Sequence, residues 1–253
     1  MKNFFRNPVL ESELKIRMRS WRAALGVTLY LGVILLIAYL YFKTVIDSMM
    51  RYGAYNSAGQ TIGLQVYTML AVLQFVLILL VTPAQTAGAI SGEREKQTLD
   101  LLLCTKMSSV GIILGKLFSS MSFILLLIIG SIPIFSLVFL FGGVTPGNVV
   151  VLFLFYLVTA FAVGSIGIFC SAMFKRTVTA TVTAYITIFV LGIVSLILGG
   201  YMMASYYAER VILSVVPPPY TPFVFYINPA IGLVDLLAQQ FDGMSGGIIS
   251  DIV

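Results

Sequence analysis

Apolar residues in this chain come in long runs rather than in narrow stripes. A helix rises about 1.5 Å per residue and a bilayer's hydrocarbon core is about 30 Å thick, so about 20 uncharged, mainly apolar residues carry a helix across. Five segments reach that length: residues 23–42, 61–84, 117–141, 148–174 and 178–198. The second lies within an uncharged stretch from 52 to 92. The third and fourth share a charge-free stretch from 117 to 174, too long for one crossing, and Gly142-Gly143-Val144-Thr145-Pro146-Gly147-Asn148 supplies the turn between them. Pro133 is expected to kink the third span, because proline removes a backbone donor and crowds the preceding turn. The pattern predicts an all-α fold, one polytopic transmembrane helix bundle over residues 1–253.

Three segments depart from that pattern. Asn7-Pro8 reads as a cap followed by proline at the first helical position. Leu10, Leu14, Met18, Trp21 and Leu25 follow at steps of three or four, with Glu11, Lys15, Arg19 and Arg22 on another face. Residues 1–22 are therefore expected to form an amphipathic helix lying on the membrane surface. Residues 91–106 read as a short charged helix between the second and third spans. Ser91 is its expected cap, Glu93 and Glu95 suit its positive N-terminal end, Lys106 suits its negative end, and Leu99, Leu102 and Leu103 form an apolar stripe. Residues 201–253 hold Tyr201, Tyr206 and Tyr207, which look like interfacial aromatics, and Pro217-Pro218-Pro219, which forbids a continuous helix. Asn228-Pro229 starts a short helix there, and the whole segment is expected to be re-entrant or to lie on the outer face.

Composition places the chain in lipid: 59% of its 253 residues are hydrophobic, 10% are charged, and the mean hydropathy is +1.03. The formal net charge of +5 reads as topology rather than as a nucleic-acid footprint, and no nucleic-acid partner is expected. With the N-terminus in the cytoplasm, nearly all cations fall inside, including Arg94, Lys96, Lys106, Lys116, Lys175 and Arg176. Only Lys43, Arg51 and Arg210 fall outside. A multi-pass protein of the plasma (inner) membrane is the expectation. The apolar run after residue 22 is too long for a signal peptide, so the start is expected to be retained. The chain has no His, and its cysteines are Cys104 and Cys170. Ordinary zinc spacings, Ser-His and Cys-His nucleophile pairs and a disulfide framework are thereby removed, so no catalytic or metal site is expected.

Residues 89–103, Ala-Ile-Ser-Gly-Glu-Arg-Glu-Lys-Gln-Thr-Leu-Asp-Leu-Leu-Leu, followed by Gly115-Lys116, resemble the coupling-helix region of bacterial type-2 ABC exporter permeases. The amphipathic N-terminal helix and the outer helical insertion are similar to that family's too. The family usually has a sixth span, which the residues before Val253 do not supply. The resemblance implies that two permeases pair, either two copies or two homologues, and that each coupling helix docks on a separate cytosolic ABC ATPase. That ATPase, not this chain, would bind ATP and magnesium. Carried over residue by residue, Ser91, Gly92, Glu93, Arg94, Glu95 and Lys96 are the docking candidates, with Leu99 and Leu102 holding the lever against the bundle.

Gly111-Ile112-Ile113-Leu114-Gly115-Lys116-Leu117 is not a phosphate loop, since it has three residues between the glycines instead of four and Leu where Ser or Thr should bind magnesium. Gln65, Gln74, Thr179, Thr183 and Thr187 either line a translocation path or hydrogen-bond to neighbouring helices. Ala160 and Gly164, with small-xxx-small spacing, suit close helix packing within the subunit more than a dimer seam. A channel or secondary transporter would normally carry ionisable groups inside its spans, and the five proposed spans have none in their interiors. An intramembrane enzyme would need a convergent acid, base or metal. A membrane scaffold stays compatible with the composition.

Overall fold

A computed structural model describes residues 21–52, 58–97, 109–212 and 221–242. Every regular element among them is helical: α1 (Trp21–Tyr52), α2 (Ala58–Thr86), α3 (Ser91–Glu95), α4 (Ser109–Gly130), α5 (Ile132–Ser136), α6 (Pro146–Met173), α7 (Thr177–Ile212) and α8 (Pro229–Asp242). Short 3-10 turns cover Leu137–Leu140 and Phe223–Ile227. Five helical runs are long and apolar enough to cross a membrane, and they coincide with the five spans read from the sequence. The N-terminal amphipathic helix falls largely on residues outside those described, as do Leu99, Leu102 and the proline triplet.

The helix ends differ from the sequence pattern where packing overrides it. α1 runs past residue 42 to Tyr52, carrying the exposed Lys43 and Asp47 with it. α4 starts at Ser109, so Lys116 lies in its second turn rather than ahead of it. α7 continues through Gly199-Gly200 to Ile212, so Tyr201, Tyr206 and Tyr207 extend the fifth span instead of starting a separate segment. No proline interrupts this stretch, and glycine alone costs a helix only about 1 kcal/mol. Pro133 acts as expected: α4 stops at Gly130, and the chain restarts as the one-turn α5 with the proline near its N-terminus.

The chain divides into two units, residues 1–184 and 185–253. In the first, α2 is the central helix. Tyr67, Ala71, Gln74, Ile78, Thr82 and Thr86 form one buried stripe along it at steps of three or four. Tyr156 on α6 donates from its hydroxyl to the Ala71 carbonyl at 2.8 Å. Phe135 packs edge-on against both Tyr67 and Phe153. Gly167 explains how closely α6 approaches α2, because a Cβ there would overlap the Thr86 hydroxyl. Gly164 sits equally tightly against Met121 of α4, and Ala160 is buried, so this small-residue spacing serves packing within the subunit. The hairpin between α5 and α6 is built on positive φ at Gly142 and Gly143, and Thr145 caps α6 by accepting from Asn148 N–H.

In the second unit, Asn228 organises the start of α8. Its Oδ1 accepts from Ala230 N–H at 2.9 Å, while its Nδ2 donates to the Gly192 carbonyl and to Ser195 Oγ at 3.1 and 2.9 Å. α8 has 14 residues, about 21 Å of helix, too short to cross about 30 Å of hydrocarbon.

Candidate functional site

The segment between the second and third spans folds as a compact charged knob. α2 ends at Thr86, four turn residues follow, and α3 covers only Ser91-Gly92-Glu93-Arg94-Glu95. Lys96 closes it, and Gln97 takes a left-handed backbone with φ 58°. Of the helix expected over 91–106, the described residues form Ser91–Glu95, and residues 98–106 lie outside those described. The charged residues make one short helix that turns sharply at Gln97, and a left-handed residue ends a helix because it turns the next N–H away from the helical carbonyls. The capping expectation is corrected as well. Ile90 holds the cap position, and Ser91 is the buried first residue of α3, its hydroxyl donating to the Ala87 carbonyl at 2.8 Å.

Three neighbours fix this knob. Ser171, in the last turn of α6, accepts on its hydroxyl from the backbone N–H of both Ile90 and Ser91, each at 2.9 Å. Those are free donors at the start of α3, so one side chain of a distant span satisfies them. Glu93 reaches the other way, to Lys116 of α4, with Oε1 3.0 Å from Nζ. The Lys116 side chain is only 8% exposed and that of Glu93 26%. Glu95 accepts from both the backbone N–H and the hydroxyl of Thr177, at 3.1 and 2.8 Å. Thr177 is the first residue of α7, so Glu95 satisfies one of its free N–H groups and places a negative charge at its positive end. Beneath the knob, Ala87, Cys170, Ala180 and Ala184 form a small apolar cluster of their own.

The docking candidates thus separate by role. Glu93, part-buried, and Glu95, exposed, each bond to a residue of another span. Arg94 is half buried and Lys96 exposed, and neither forms an ion pair with a described residue. Ser91 is fully buried, and Gly92 sits against the Thr177 methyl group, where a Cβ would still fit. Lys116, Ser171 and Thr177 were missed as members of this site. Lys116 had one sequence signal, as a lone charge just inside a long apolar span. Ser171 had none.

The polar candidates for a translocation path differ in exposure and bonding. Gln65 and Thr179 are exposed, whereas Gln74 is fully buried on the α2 stripe with neither side-chain polar atom bonded. The Thr183 hydroxyl donates to the Thr179 carbonyl at 2.8 Å, a bond within the helix, and Thr187 is half buried. The phosphate-loop look-alike at 111–117 lies inside α4, where its backbone N–H groups are spent on the helix. No cluster of metal-ligating side chains occurs among the described residues.

The chain matches the family model described as ABC-2 family transporter protein over residues 44–251. No curated protein matches it.

Proposed function

The chain belongs to the ABC-2 transporter family, a multi-pass membrane permease subunit, and from that premise we propose that it is the transmembrane half of an ATP-driven exporter powered by a separate cytosolic ATPase. The observation that carries this reading is the fixed knob at residues 87–97. A slack connector would have no reason to be bonded to α4, α6 and α7 at once. A lever needs such anchorage, because motion imposed on it reaches the spans only if it does not bend first.

In this reading ATP and magnesium bind on the partner, whose closure displaces α3 and shifts the bundle between two accessibilities. The N-terminus and the knob are cytoplasmic, in line with the charge bias, and two permeases pair to complete the path. α1 and α7 support pairing: 11% and 17% of their crossing segments are covered within the chain, against 33 to 39% for the other three crossing runs. Gln65 and Thr179, both exposed within the chain, are the candidates for contact with a passing solute.

The test is recovery of the intact complex. The full-length permease, purified from its own membranes in mild detergent, should bring down an ABC ATPase, and the reconstituted pair should hydrolyse ATP faster than the ATPase alone. Recovery of the permease without any nucleotide-hydrolysing companion, or labelling of Lys96 from outside the cell, would refute the reading.

A further inference from the structure

Both carboxylates of α3 are engaged within the chain, the part-buried Glu93 with Lys116 and the exposed Glu95 with Thr177, and four cations surround the second of these links. Arg94, half buried in α3, and Lys96, exposed at its C-cap, flank Glu95 in the chain. Lys175 and Arg176, both exposed, form the turn between α6 and α7. Glu95 brings the two pairs together, because it sits between Arg94 and Lys96 in the chain and is bonded to Thr177, the residue after Arg176. The turn is held on both sides: Phe174 N–H donates to the Cys170 carbonyl at 3.1 Å, and the Arg176 carbonyl accepts from Ala180 N–H at 3.0 Å. Of the nearby anions, Glu93 is matched by Lys116, and Glu95 faces the N-terminus of α7.

We propose that Arg94, Lys96, Lys175 and Arg176 form one docking surface for an acidic groove on the partner ATPase, half of it supplied by the turn between the fourth and fifth spans. This rests on the coupling reading above and adds the chemistry of the contact. Two segments about 80 residues apart in sequence are locked in a fixed mutual position by side-chain bonds to Thr177. Such preorganisation lowers the cost of meeting a shaped protein surface. Fluid lipid headgroups, which adapt to any arrangement of cations, would gain little from it. Complementary charge also sets which ATPase is accepted and how fast it associates.

The experiment uses the full-length permease in nanodiscs of phosphatidylcholine alone and the ATPase recovered with it. Binding is measured from about 50 to about 500 mM salt, a range over which exposed charges become screened. Wild-type binding should weaken steadily with salt. At low salt K175E/R176E should lose about ten-fold or more in affinity and K175Q/R176Q a smaller factor, and charge reversal in the ATPase groove should restore K175E/R176E. None of these substitutions touches Glu93, Glu95, Ser171 or Lys116. Equal binding by wild type and K175E/R176E would overturn the proposal while leaving the coupling reading standing. So would an effect that vanishes in neutral discs and appears only with phosphatidylglycerol, since headgroups would then be the ligand. A wild-type permease that binds no ATPase at all would sink both.

Discussion

Exchanging the charges of Glu93 and Lys116 tests the ion pair that ties the knob to α4. Two unit charges 3.0 Å apart attract by about 5 kcal/mol at an effective dielectric of about 20. Part of that is lost to desolving Lys116, which is 8% exposed, and part to solvent screening at Glu93, 26% exposed. A net coupling of about 1–3 kcal/mol remains. E93K leaves two cations facing each other and K116E two anions, so each single variant should be destabilised by more than the lost pair alone. The double variant E93K/K116E restores opposite charge and should recover most of the loss. Equilibrium unfolding of the purified permease in detergent, followed through a cysteine probe on α4, gives the three free energies of the cycle. ATPase stimulation by the same three variants in the reconstituted complex should follow the same order. Additive losses, with no recovery in the double variant, would show that the ion pair does not hold α3 to α4.

Three other substitutions probe the remaining supports. S171A removes the acceptor shared by two buried N–H groups and should cost about 2–4 kcal/mol, an orphaned buried donor costing about 1–3 each; hydrogen exchange at Ile90 and Ser91 should rise with it. E95A should loosen the first turn of α7 by about 1 kcal/mol, seen as faster exchange near Thr177, while E95Q, which keeps one acceptor oxygen for the Thr177 N–H and can donate its amide to the Thr177 hydroxyl, should lose less. G167V drives a branched side chain into Thr86 and should cost about 1–3 kcal/mol, with T86A returning part of it in a thermal-melt comparison.

The spans were legible because lipid imposes a length and an apolar content that few sequences meet by accident. The hairpin was legible because Gly142, Gly143 and Pro146 are turn residues with a mechanism, and Asn228-Pro229 for the same reason. Helix ends were less legible: the fifth span was expected to end at residue 198, yet no proline opposes helix until Pro217. In the knob, the described residues differ from the sequence pattern at the helix end and at Ser91. The helix end depends on Gln97 adopting positive φ, an arrangement glycine or asparagine would have announced and glutamine does not. The facing of Glu93 and Glu95 depends on partners 23 and 82 residues away, and no local pattern encodes contacts at that range. The sequence therefore grouped Glu93 and Glu95 with Arg94 and Lys96, whereas the two carboxylates bond within the chain.

The five residues of α3 are, mechanically, a block standing on three separate feet: a serine on one rod, a lysine on a second and a threonine on a third. A body supported at three points that do not lie on one line keeps no freedom to pivot. Any push that reaches Arg94 must then be absorbed by several rods together, so the helices at this end of the membrane domain are geared to start and stop as a set.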